Sequence, residues 1–208
     1  MLPLLSDMDL SALLVSRVCH DVISPVGAIA NGLEVLEDED DEAMQKIAMD
    51  LVRRSARQAS AKLQFCRIAF GAAGSAGAHV DMNEAGDLAR GFVGEEKVKL
   101  DWQAPRETRP KAEVKLVLNL LLMAMGAIPR GGLVTVLGDA DSFTVSAAGD
   151  GARIAEKTQA LMDGRLDPAE IDARLVQPYY ALMLAKQAGF SLVGNVAPGL
   201  VTFTARRG

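Results

Sequence analysis

Leu10, Leu14, Val18, Val22, Ile29, Leu33 and Leu36 recur at the three-to-four-residue interval of a helix with one apolar stripe. Ser6, with Asp9 three residues on, forms a capping box with a shortened acid, so the pattern predicts a helix of about 30 residues, roughly 45 Å long. The acidic run Glu37-Asp38-Glu39-Asp40-Asp41-Glu42 breaks the period. It reads as a solvated turn and sets acids at the start of the next helix, where the helix dipole favours them. A second stripe, Met44, Ile47, Leu51, Ala59, Leu63, Cys66 and Phe70, ends at the glycine- and alanine-rich stretch 71–77, which reads as a linker.

From Val80 the pattern changes to short strands between helices. Helices are expected at 83–93, 111–128 (entered through Pro110), 154–162 and 179–188. An alternating strand is expected at 98–103, a hairpin pairing 133–137 with 143–147, and two more strands near 190–196 and 200–205, joined through Pro198-Gly199. That order predicts an α/β sandwich with one helical layer on a mostly antiparallel or mixed sheet. The class is therefore α+β, with a helical hairpin domain at 1–75 and the sandwich at 79–208. A hairpin with one stripe per helix cannot close its own core, so pairing of two copies into a homodimeric four-helix bundle is expected. The alternative is packing of the hairpin on the second domain of its own chain.

Composition narrows the function. Half of the 208 residues are hydrophobic, enough for a core without staples. Cys19 and Cys66 stand in no disulfide or zinc-ligand spacing, which suits a reducing cytoplasm. A net charge of -5 with 4% aromatics argues against nucleic acid as a partner. The N-terminus lacks a signal-peptide pattern and no apolar run is read as long enough to span a bilayer, so no membrane role is expected.

The candidate chemistry is concentrated at His20, one of two histidines. Val18 and Val22 lie about 200° round the helix from it; if they face the core, His20 faces water. An imidazole in water is largely neutral at cytoplasmic pH and keeps a lone pair able to attack phosphorus. Asp21 can take the proton of one ring nitrogen and sharpen the other, given a favourable rotamer. Pro25 removes the helical bond to the Asp21 carbonyl and lets the helix bend after His20. Ser24, one turn on, can meet a phosphoryl oxygen or bond back to its own helix. Arg17, three residues earlier, is a candidate phosphate contact. His79 has no such context and reads as structural or merely exposed.

These residues resemble the H-box of two-component histidine kinases, in which a histidine, an acid, a polar residue and a proline recur as in His20-Asp21-Val22-Ile23-Ser24-Pro25. The second half is similar to the ATP-binding (Bergerat) domain of those kinases: 118–124 resembles the N-box, 145–151 the first glycine box, and 198–203 the end of the fold. The departures point away from ATP. Met123 stands where the N-box has a second asparagine for magnesium, and a thioether is a poor ligand for a hard cation. Ala147 and Ala148 replace the Asp-Asn pair that reads adenine, and Leu175-Val176-Gln177-Pro178-Tyr179-Tyr180 replaces the second glycine-rich loop.

A kinase-like chain that keeps its histidine and loses its nucleotide site resembles the ChpT family of alphaproteobacterial histidine phosphotransferases. That resemblance implies a cytoplasmic homodimer with a degenerate kinase-like domain. Phosphate would pass through His20 from the receiver domain of a hybrid histidine kinase to the receiver domains of response regulators, including a cell-cycle transcription regulator. Cys19, Ile23 and Val26, with Val22 and Ile29, are expected to be divided between the receiver contact and the bundle core. No cofactor and no ATP would be bound by this chain, and magnesium would come with the receiver. The competing readings are an ATP-dependent histidine kinase with an atypical nucleotide site and a non-catalytic scaffold for receivers.

Overall fold

The computed structural model describes residues 5–38, 40–71, 79–94 and 97–208. Helix α1 (Asp7–Asp38) starts at the capping box that the sequence signals: Ser6 Oγ accepts from the Asp9 amide at 3.1 Å and donates to Asp9 Oδ2 at 2.6 Å. It runs through a buried Pro25. In α2 (Glu42–Ala69) the acidic run supplies the cap, Asp41 accepting from the Ala43 amide at 2.9 Å. The 71–77 linker expected from the sequence lies, apart from Gly71, outside the described residues.

The hairpin closes through small side chains. Gly32, Ala48, Ser55 and Ala59 are buried, and a methyl group on Gly32 would lie 2.7 Å from Val52 Cγ2 and 3.3 Å from Ala48 O. The larger stripe residues Leu33, Met44, Ile47 and Leu63 stay largely exposed among the described residues, the buried positions of the hairpin contact being small ones. One expectation needs correcting here. By length and composition alone α1 is apolar enough to cross a membrane, with almost none of that stretch buried, since its apolar positions cover uncovered faces as well as the hairpin contact.

The sandwich is built on a five-stranded mixed sheet of β2 (Val98–Trp102), β4 (Gly132–Gly138), β5 (Ser142–Ala148), β6 (Phe190–Ala197) and β7 (Leu200–Arg207), in the order β2-β4-β5-β7-β6. Only the β2–β4 pair is parallel. The period-two burial is clean: Phe143, Val145 and Ala147 point into the core, while Thr144 and Ser146 alternate outward. The turn between β6 and β7 uses Gly199 at φ +71°, a conformation that glycine adopts without strain. Helices α3 (Met82–Val93), α4 (Lys111–Ala127), α5 (Glu156–Met162) and α6 (Val176–Gln187) complete the domain. Two three-residue strands, β1 (His79–Asp81) and β3 (Thr108–Pro110), pair antiparallel and were too short to show any alternation in the sequence.

Helix α6 begins three residues before the expected position. Pro178 falls in its first turn, where an amide would lack a helical partner anyway, so proline does not delay the start. Helix α5 begins at Glu156 rather than at Ile154. The hairpin does not stand apart from the sandwich. Phe65, Cys66 and Ala69 at the end of α2 lie in the same core as α4, and the Phe65 ring stacks on Phe92 at 4.2 Å. At the other end, Leu5, Leu10 and Leu13 pack on a second cluster containing Leu161, Leu175 and Tyr179.

Candidate functional site

His20 projects from the middle of α1 with its side chain 84% exposed. Its Nδ1 lies 3.4 Å from Asp21 Oδ1, while Asp21 Oδ2 accepts from Arg17 Nε at 3.0 Å. Asp21 is thus held between an exposed imidazole and a guanidinium one turn back, with only 12% of its own side chain exposed. Arg17 and Asp21 stand at i and i+4, the spacing at which helix side chains meet. The sequence reading assigned Arg17 to phosphate; the structure ties it to Asp21. The spacing itself was the signal that could have shown this. With Nδ1 turned to the carboxylate, Nε2 is the nitrogen offered to an incoming group.

Cys66 on α2 lies within the field of this acid. Burial, and then the negative charge of Asp21, push its thiol up to about 11, so it stays protonated and unreactive at neutral pH. The remaining candidates form an arc beside the histidine. At about 100° per residue, Cys19, Ile23 and Val26 fall within roughly 120° of His20 to one side and Ser24 about 40° to the other. All four are exposed, Ile23 by 68% and Val26 by 46%. Val18, Val22 and Ile29 lie on the opposite side and are half-buried. His79 is exposed on β1 opposite Pro110, away from this arc.

Several of the positions that resemble a nucleotide site are engaged within the protein itself. Asn119, the N-box asparagine that remains, is fully buried; its Nδ2 donates to Ala69 O at 3.0 Å and Lys115 O at 2.7 Å, and its Oδ1 accepts from Gln177 Nε2 at 2.6 Å. Lys115 adds a bond from Nζ to Gly71 O at 2.9 Å, placing a cation at the negative end of α2. Burial lowers the Lys115 pKa. Asn119 and Lys115 therefore fasten the end of the hairpin to α4 instead of serving a metal. Ala147 is buried in the core, and Tyr179 is buried with its hydroxyl accepting from the Leu5 amide at 3.1 Å. Among the described residues no group of three or more His, Cys, Asp or Glu side chains could hold a metal ion. This donor set does not fit magnesium–ATP.

A helical hairpin with one exposed, acid-backed histidine, joined to an α/β sandwich whose N-box-like asparagine is bonded within the protein, is here the arrangement of a histidine phosphotransferase. The family model for the histidine phosphotransferase C-terminal domain matches residues 82–197. The chain is 47% identical to the protein phosphotransferase ChpT of Brucella abortus (strain 2308), over 97% of each sequence. It superposes on a solved bacterial phosphotransferase with a TM-score of 0.88 at 43% identity, covering 99% of this chain and all of the other. A histidine kinase domain from Erythrobacter litoralis EL346 matches at 17% identity and a TM-score of 0.44, over 86% of this chain and 94% of that one. The chain belongs to the ChpT family of histidine phosphotransferases.

Proposed function

We propose that His20 is the phosphoryl carrier and that both donor and acceptor are aspartates of receiver domains. The lone pair of Nε2 attacks the phosphorus of an aspartyl phosphate in line, the bond from phosphorus to the carboxylate oxygen breaks, and the receiver's carboxylate departs. The proton on Nδ1 stays against Asp21, whose charge stabilises the imidazolium form of the phosphohistidine. A second receiver's aspartate then attacks phosphorus, the N–P bond breaks, and neutral His20 returns. Magnesium and a lysine that offset charge on the transferring oxygens come with the receiver, and this chain supplies exposure and alignment.

The observation that carries this reading is the exposed His20 imidazole backed by Asp21, in a chain whose N-box-like asparagine is bonded to its own neighbours. The partners proposed are the receiver of a hybrid histidine kinase upstream and response-regulator receivers downstream, one of them a cell-cycle transcription regulator. Cys19, Ile23, Ser24 and Val26 form the receiver contact, in a cytoplasmic protein. The exposed Leu33, Met44, Ile47 and Leu63 are covered by a second copy in a four-helix bundle, so sedimentation at micromolar concentration should give a dimer, and a monomer would refute it.

The test of the function is to mix the protein with two receivers, one carrying labelled aspartyl phosphate, without ATP. Label reaching the second receiver with wild type and not with His20→Ala supports the relay. Rapid labelling from ATP alone would instead support a kinase, and receiver binding without transfer a scaffold.

A further inference from the structure

A cavity of about 510 Å³ remains beside α4, α5 and the start of α6, near the lost nucleotide positions. Its size is that of a pocket for a nucleotide- or drug-sized molecule. Met123, Ile154, Leu175, Pro178 and Phe203 give it an apolar lining. Four cations line it as well, Arg17, Arg153, Lys157 and Arg174, against two acids, Glu156 and Asp172. Two of the four cations are already paired with carboxylates beyond the lining, Arg17 being held by Asp21, which leaves Arg153 and Arg174. Asp172 Oδ1 accepts from the backbone amides of Arg174 and Leu175, and Lys157 is paired with Glu170 outside the lining at 3.0 Å. Arg153 and Arg174 have no carboxylate within ion-pair distance among the described residues. Gln177 also lines the cavity, and its buried Oε1 accepts no hydrogen bond among the described residues. Uncompensated guanidinium groups beside an apolar lining suit a ligand with an apolar body and an anionic end.

Arg17 gives the cavity a direct line to the phosphotransfer helix. One nitrogen, Nε, holds Asp21, and the same side chain forms part of the cavity wall. An anion inside the cavity competes for the guanidinium that positions Asp21 against His20. We propose that this cavity binds an anionic small molecule with an apolar body, neither adenine nor magnesium being read, and that its occupancy slows phosphotransfer through Arg17. The binding half stands on the cavity alone; the effect on rate rests on His20 being the carrier.

Gly126 allows the test without disturbing the fold. It lines the cavity, and a Cβ built there meets nothing within 4 Å, so a ring can be directed into the open space. The probe is 1-anilinonaphthalene-8-sulfonate, an aromatic body with one sulfonate, titrated by fluorescence against the full-length protein. Its uncharged counterpart, N-phenyl-1-naphthylamine, serves as control. The expected result is saturable binding of the sulfonate, weakened at least tenfold by Gly126→Phe and by the Arg153→Glu/Arg174→Glu pair, with thermal unfolding showing each variant folded. The uncharged probe should be indifferent to the arginine substitutions. Saturating sulfonate should lower the receiver-to-protein transfer rate severalfold in wild type, and the ratio of rates with and without probe should return to one in Gly126→Phe. Sulfonate binding that ignores all three substitutions overturns the site. Binding that responds to them while the transfer rate stays unchanged overturns the link through Arg17. If His20→Ala transfers phosphate as wild type does, it is the carrier assignment that fails, and the binding result stands apart from it.

Discussion

At the scale of single residues, the proposed reaction depends on how Asp21 is held. An exposed aspartate would wander among rotamers; here Arg17 fixes one oxygen so that the other stays near His20 Nδ1. Asp21→Asn preserves size but removes the charge that stabilises an imidazolium. The expected outcome is a fall of about 10²-fold in the rate of phosphohistidine formation, within the range for a lost acid–base partner, with the helix content by circular dichroism unchanged. The exposure of His20 and its contact with Asp21 were legible in the sequence, the first from Val18 and Val22 on the opposite face and the second from adjacency. The fate of Asn119 was not legible. Its sequence context resembles a metal-binding box, and only the fold reveals that Ala69 O, Lys115 O and Gln177 consume its amide.

Among the elements, the hairpin is the best-foreseen part of the fold. Its periodicity, capping box and acidic turn are local signals, and α1 and α2 start close to where those signals put them. What periodicity does not say is which part of an apolar stripe meets which partner. Small residues take the contact within the hairpin and leave the large ones outside. Gly32→Val sets a branched side chain against Val52 and should destabilise the protein by about 1–3 kcal/mol in urea denaturation. Gly27 is the matching control. A side chain there meets nothing within 4 Å, so Gly27→Ala should be neutral or stabilise by about 0.5–1 kcal/mol through the helix propensity of alanine. Equal effects at both positions would mean that the close approach at Gly32 does not exist. The strands of the sandwich were legible wherever they were long enough to alternate, while α6 starts three residues ahead of the expected 179, with Pro178 inside its first turn.

For the whole molecule, the fastening of α2 to α4 makes the hairpin and sandwich share one core, a feature that no local pattern announces. Cys66 sits at this junction and gives it a pH signature. Burial and the Asp21 charge raise its thiol from 9.0 to about 11, so the folded protein holds that proton more tightly than the unfolded chain does. The stability this contributes is complete below about pH 9 and is lost as pH rises towards about 11. Burial raises Tyr180 to about 12, which extends the same trend to higher pH. Lys115 works the other way: its pKa is lowered, so its penalty for being folded fades as the pH rises. The difference between wild type and Cys66→Ala isolates the thiol. Denaturation midpoints from pH 8 to 11 should fall more steeply for wild type than for Cys66→Ala; parallel curves would show that the junction does not protect the thiol.

In the function proposed above, a protein-derived phosphoryl group rests on one ring nitrogen of His20. The direct measurement is phosphorus and nitrogen magnetic resonance of the protein, with its histidines labelled with ¹⁵N, after incubation with a phosphorylated receiver domain in ATP-free buffer. The account predicts a phosphohistidine at His20 with phosphorus bonded to Nε2 and the proton on Nδ1. A phosphoryl group on Nδ1, on another residue, or arising only when ATP is added would contradict it.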